Sequence, residues 1–156
     1  SADPQAVGGE SMNIDGILNG YVIDHIQAGK AMQIYRHLKL DKLDCSVAII
    51  KNAKSQRMGR KDIIKIDALI PIDLEVLGYI DPNVTVNVIR DGLRLEKKHL
   101  ALPERVVNII RCKNPRCITQ IEQDIEHVFV LADRDKGLYR CHYCEVPHKP
   151  EERSDF

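Results

Sequence analysis

The chain has 156 residues, in which 23 Lys and Arg are balanced by 23 Asp and Glu, so the formal net charge is zero. That balance argues against the basic excess of a non-specific nucleic-acid binder, and no apolar run reaches the ~20 residues of a membrane helix. With 29% charged and 44% hydrophobic residues, and no basic-then-apolar leader, the composition reads as a soluble, cytoplasmic globular protein.

Residues Ser1 to Ser11 are small and polar without periodicity and read as a disordered tail; Met12 is a candidate natural start, with the residues before it added. Tyr21 to Ile26 reads as a strand. Ala31, Ile34, Tyr35 and Leu38 recur at helical spacing, so Gly29 to Leu40 is expected to be an amphipathic helix. Cys45 to Lys51, β-branched and apolar, reads as a strand, Asn52 to Arg60 as a polar turn, and Lys61 to Asp67 as the strand pairing back. Pro71 to Ile80 reads as a short helix with Asp73 near its start and Asp81-Pro82 at its end. Val84 to Ile89 alternates as a strand, Asp91-Gly92 makes a turn, and Leu93 to Leu100 returns.

This β-α-β-β-α-β order, with one added strand, is that of ferredoxin-like folds. Both helices would cover one sheet face and leave the other for a ligand or partner. Pro103 in Ala-Leu-Pro-Glu-Arg disfavours helix at Leu102 and marks a boundary. Beyond it, Val106 to Arg111 reads as a strand leading into Cys112, and Glu126 to Leu131 with Gly137 to Cys141 as a hairpin. The fold class is α+β: a ferredoxin-like N-terminal domain followed by a small β-rich four-cysteine domain.

Of five cysteines, four form two short-spaced pairs. Cys112 and Cys117 have four residues between them, Cys141 and Cys144 two, and 23 residues separate the pairs. Structural zinc takes four thiolates in a tetrahedron, and a tight turn supplies each edge. The competing reading is four free or redox-active thiols, which leaves about fifty residues with little to hold them together. Four thiolates leave no open position for a catalytic metal. His142 reads as a solvated knuckle residue, His127 and His148 as ordinary side chains, and Cys45 as a buried small hydrophobe. No P-loop, dinucleotide fingerprint or nucleophile elbow is present.

Val22-Ile23-Asp24-His25-Ile26, Met58 to Ile66 (MGRKDIIKI), Leu102 to Arg105 (LPER) and the paired cysteines with Tyr143 and Glu145 occur in this order. Together they resemble the regulatory chain of aspartate carbamoyltransferase, from about Ile14 to about Pro147. The resemblance implies a non-catalytic allosteric subunit of pyrimidine biosynthesis. It would have a tail over 1–13, a nucleotide-binding domain over 14–102 and a zinc domain over 103–156. It implies one structural zinc ion per chain on Cys112, Cys117, Cys141 and Cys144, pairing of the chain with itself through the N-terminal domain, and docking on catalytic chains through the zinc domain. CTP and UTP would inhibit and ATP activate.

Carried over residue by residue, the resemblance places Asp24 and His25 at ribose and phosphate, Lys65 near base and sugar, and Lys61 beside it. Asn87 falls at ribose and phosphate, Lys97 at the triphosphate, and Asp15, Gly16 and Ile17 where backbone groups read the base. Gly92 to Glu96 departs from the better-known bacterial members. Strand alternation puts Asn87 and Lys65 on polar faces opposite their Ile and Val neighbours, but sets Asp24 and His25 on opposite faces unless the strand bends there. Two other classes of function remain open at this point. One is a zinc-ribbon nucleic-acid module using Arg111, Lys113, Arg116 and Arg140, against which stand zero net charge and 4% aromatics. The other is a self-sufficient enzyme, for which no motif speaks.

Overall fold

A computed structural model describes residues 16–149; the expected tail over 1–13, and Asp15, lie outside them. The first unit runs β1 (Gly20–Gln27), α1 (Ala31–His37), a 3-10 turn (Leu40–Lys42), β2 (Val47–Ser55), β3 (Gly59–Ile66), α2 (Leu74–Ile80), β4 (Thr85–Arg90) and β5 (Leu93–His99). Its sheet is ordered β2-β3-β1-β4-β5 with every neighbour antiparallel. That is the ferredoxin-like arrangement with β5 added at one edge.

One face of this sheet is apolar. Ile23, Ile26, Ile64, Ile66, Val84 and Val86 meet Ala31 and Ile34 of α1 and Val76, Leu77 and Ile80 of α2. Each fully buried Ile or Leu there contributes roughly 1.5–3 kcal/mol. Two carboxylates organise the helices. Asp73 caps α2 by accepting from the Glu75 and Val76 amides, each at 3.1 Å. Asp62, on β3, accepts from the Gly29 amide at 3.0 Å and the Ala31 amide at 3.2 Å, so α1 is capped from across the sheet.

Several element bounds differ from the sequence reading, among them the second helix, expected from Pro71 but beginning at Leu74 behind the Asp73 cap. The first helix stops at His37 because Lys39 is left-handed (φ 57°), and the chain continues as the 3-10 turn. The expected turn over 52–60 is mostly strand. Asn52 is left-handed (φ 62°) at a break in the β2–β3 register, and the Asp62 carboxylate accepts its amide at 2.9 Å, so β2 runs on to Ser55. Cys45 lies just before β2 and is half-buried against the first core rather than fully enclosed.

The second unit comprises β6 (Arg105–Val107), α3 (Ile118–Ile121), β7 (Val128–Asp133), β8 (Leu138–Cys141) and β9 (Pro147–His148), with sheet order β6-β7-β8-β9. The expected strand over 106–111 ends at Val107, since Asn108 is left-handed (φ 59°) and exchanges hydrogen bonds with His127. The two units share material. Tyr79 of α2 is fully buried in the second core with Val106, Phe129 and Tyr139, and its ring meets that of Tyr139 edge to face at 5.1 Å. Among the described residues no helix is long and apolar enough to cross a membrane.

Candidate functional site

The sheet face opposite the helices carries the polar residues that the sequence singled out. Lys65, Val22, Asn87 and Lys97 stand directly opposite one another across β3, β1, β4 and β5. Directly opposite residues in antiparallel strands share a face, so two lysines and an asparagine form a row. Asp24 stands opposite Thr85 one step along.

The sheet breaks its own alternation to bring His25 to this face. The β1–β3 register passes from Ile23 opposite Ile64 to Ile26 opposite Asp62, so Asp24 and His25 together face one residue of β3. His25 is left-handed (φ 61°), as one position of a bulge can be. Its amide donates to Asp24 Oδ1 at 2.6 Å, and its Nδ1 is hydrogen-bonded to Thr85 Oγ1 at 3.0 Å. Asp24 and His25 therefore both turn away from the core, which strand alternation alone would forbid.

These groups line a cleft of about 260 Å³ together with Val22, Thr85, Asn87, Arg94 and Lys97. Lys61 and Lys65 sit on the same face outside the lining. Lys61 reaches the cleft's carboxylate, placing Nζ 3.0 Å from Asp24 Oδ1. Asn87 is nearly buried; Nδ2 donates to the Val22 carbonyl at 3.2 Å, while Oδ1 is buried with no partner among the described residues. Leaving such an acceptor unmet costs about 1–3 kcal/mol, which a ligand donor in the cleft would recover. Burial pulls His25 below its usual 6.5, with Lys61, Arg57 and Lys97 acting in the same direction against Asp24. An apolar patch of Ile17, Val22, Ile89 and Ile63 adjoins the cleft. Gly16 is exposed and left-handed (φ 83°) just before Ile17. Thr85 and Arg94 were not singled out from the sequence.

In the second unit the four paired cysteines converge. Cys112 Sγ is 3.6 Å from Cys144 Sγ, and Cys117 Sγ is 3.7 Å from Cys141 Sγ. All four sulfurs lie within 4.8 Å of one another. A tetrahedral ion holding thiolates at ~2.3 Å would separate them by ~3.8 Å, so the spacing fits a four-sulfur metal centre. Each short distance joins one cysteine of the first pair to one of the second, so the ion would lock α3 and its loop to the β7–β8 hairpin. Burial pushes the Cys112 thiol up to about 12 and raises Cys141 as well. Burial acts the same way on Cys117, but the Thr119 hydroxyl, 3.2 Å from its sulfur, and the Thr119 amide hold it at about 7. Thiolates packed this way call for a cation. His127 is no ligand: its Nδ1 accepts the Cys112 amide at 3.1 Å and so fixes the first knuckle. His142 is exposed beside Tyr143.

A sheet face left uncovered among the described residues and carrying convergent cations, joined through a shared core to a unit with four converging cysteines, defines a two-part binding chain. Residues 12–101 match the allosteric domain of the aspartate carbamoyltransferase regulatory chain, and residues 104–154 match its metal-binding domain. The chain is 50% identical over 134 residues to an aspartate carbamoyltransferase regulatory chain of Clostridium botulinum, covering 86% of this chain and 92% of that one. A Clostridium acetobutylicum relative of the same name is 49% identical over 138 residues (88% and 94% covered), and one from Bifidobacterium longum 44% over 138 residues (88% and 99%). The chain belongs to the family of aspartate carbamoyltransferase regulatory chains, and it is a regulatory rather than a catalytic subunit.

Proposed function

We propose that the chain senses nucleoside triphosphates on the face of its first sheet opposite the helices and passes their effect, through a zinc-stapled second domain, to the catalytic chains of a cytoplasmic aspartate carbamoyltransferase. CTP and UTP are its inhibitors and ATP its activator. The observation that carries this reading is the row Lys65–Val22–Asn87–Lys97 beside a cleft whose buried Asn87 acceptor is unmet.

In this reading Lys97 and His25 take the phosphates, Asn87 Oδ1 accepts from a ribose hydroxyl or base amine, and Lys61 and Lys65 flank the sugar with Asp24. The patch around Ile17, preceded by Gly16 and Asp15, takes the base. Zinc, when bound, neutralises the four thiolates and fixes the second domain as a rigid body; Cys112, Cys117, Cys141 and Cys144 hold it. Copies of the chain pair through the first domain, where β2 and β5 are the edge strands of the sheet among the described residues.

A nucleotide shifts a two-state enzyme only as far as its affinities for the two states differ. Helix α2 supports transmission here, because it packs Leu77 and Ile80 into the first core and Tyr79 into the second.

Calorimetric titration of the zinc-loaded chain with CTP and with ATP, repeated on Lys97→Ala, tests the site. Saturable binding weakened by the substitution is expected; absence of binding by a folded, metal-loaded chain removes the nucleotide reading. Stripping the zinc is expected to release the catalytic chains, and a complex that survives metal loss removes the docking reading.

A further inference from the structure

The β4–β5 hairpin adds a cation to the cleft that strand alternation conceals. Asp91 and Gly92 both have positive φ, 54° and 79°, the two-residue turn that pairs the flanking positions directly. It sets Arg90 opposite Leu93 and Ile89 opposite Arg94. Ile89 and Asn87 share a face, so Arg94 points to the cleft side. A regular ladder from there would place Glu96 opposite Asn87, and its carboxylate would cancel the guanidinium.

Instead the register shifts after Ile89. Glu96 pairs with Val88 on the core side, Leu95 is the extra residue, and Lys97 comes opposite Asn87. One inserted residue thus replaces an Arg–Glu pair by an Arg–Lys pair on the cleft face. Both side chains line the cleft, and neither has an ion-pair partner among the described residues. The buried, unmet Asn87 acceptor lies between them and β1.

We propose that Arg94 is a second cation of this site and, with Lys97, clamps the polyphosphate tail, so that the site selects triphosphates over monophosphates. The proposal rests on the nucleotide reading above and adds to it a residue and a selectivity. A guanidinium offers a phosphate two parallel N–H donors and stays charged at any working pH, whereas a single lysine offers a point charge. A tail of three phosphates can span two cations three residues apart on one edge strand; a monophosphate engages one of them.

The test is titration of the full zinc-loaded chain with CTP and with CMP at low and moderate salt, for the parent, Arg94→Leu and Arg94→Lys. Arg94→Leu is expected to lose roughly 10-fold or more in CTP affinity, the scale of a hydrogen bond to a charged group. CMP affinity should change less than about 2-fold, and the salt dependence of CTP binding should flatten. Arg94→Lys, which keeps the charge and loses the fork, should fall between. An unchanged ratio of CTP to CMP affinity in Arg94→Leu, in a chain that keeps its metal content and circular dichroism, overturns the proposal while leaving the nucleotide reading intact. Should Arg94→Leu not fold, Arg94→Lys decides: a CTP loss of about 3-fold supports the clamp, and parental affinity overturns it. A parent chain that binds neither nucleotide overturns both readings together.

Discussion

Lys61 and Asp24 form a 3.0 Å ion pair between β3 and β1, with both side chains largely shielded (18% and 23% exposed). The pair offsets the charge of the cleft's lining carboxylate with that of a neighbouring lysine, so that Lys61 brings less net attraction to a phosphate than an unpaired lysine does. Lys97 has no such partner among the described residues. Lys97→Ala is therefore expected to weaken CTP binding by roughly 10-fold or more, the scale of a charged hydrogen bond, and Lys61→Ala by less than about 3-fold. Calorimetry on the two variants checks the order; equal losses would show that the ligand draws Lys61 away from Asp24.

His25 gives the site a pH dependence whose sign follows from its environment. Burial and neighbouring cations hold its folded-state value below 6.5. The folded chain thus binds fewer protons than the unfolded one, and stability present above pH 6.5 is lost as pH falls through the folded value. A phosphate placed beside His25 reverses the balance by favouring imidazolium, so nucleotide binding should take up a proton below about pH 6.5. His25→Asn is the matched control, because asparagine tolerates the left-handed backbone that the bulge needs. Relative to it, the parent should gain several-fold in CTP affinity between pH 7.5 and 6, and buffers of different ionisation heat should report the proton. Parallel pH profiles for the two chains would place His25 away from the phosphates.

The metal centre predicts a larger effect. Cys112, Cys117 and Cys141 belong to the same buried cluster as Tyr139, Phe129 and Tyr79, so the second core is built around the four-cysteine cluster. Structural zinc in small domains contributes apparent binding free energies of about 10–16 kcal/mol. Elemental analysis should find one zinc per chain, and chelation should abolish the cooperative thermal transition of the second unit and expose Tyr139. A chain stripped of metal that melts at its original temperature would contradict this.

The sequence revealed what depends on residue type and hid what depends on register. Helix and strand order in the first unit, Asp73 near the start of its second helix and the cysteine pairs follow from periodicity, capping chemistry and spacing, and the structure has each of them; α3 and β9 of the second unit, four and two residues long, are too short to show a period and are not legible in the sequence. The bulges are a different matter. Asp24 and His25 share a face only because β1 carries one extra residue there, and nothing in their side chains announces it. Arg94 was more accessible. Counting outward from Asp91-Gly92 pairs it with Ile89, on the face of Asn87, whereas counting back from Lys97 by simple alternation sends it to the wrong side. Thr85 is likewise on Asn87's face by alternation, but a strand threonine carries no signal of its own until His25 is seen against it.

The junction between the units yields the last prediction, in which two effects of known size compete. Gly78 lies in the interior of α2, where alanine would ordinarily gain up to about 1 kcal/mol of helix propensity. A Cβ at that position, however, would stand 2.6 Å from the Ala101 carbonyl oxygen, a backbone atom in the segment linking the two units. That atom cannot swing aside like a side chain. The neighbouring residue Tyr79 is seated against Tyr139 of the second core, and Leu77 in the first, so α2 cannot back away either. Overpacking of this kind costs typically 1–3 kcal/mol. The clash should win, and Gly78→Ala should destabilise the chain by about 1–2 kcal/mol and lower its melting temperature by several degrees. Thermal denaturation of the metal-loaded protein measures it directly. A stabilised variant would mean that the linker yields to α2, and would argue against the close backbone packing through which the two units are joined here.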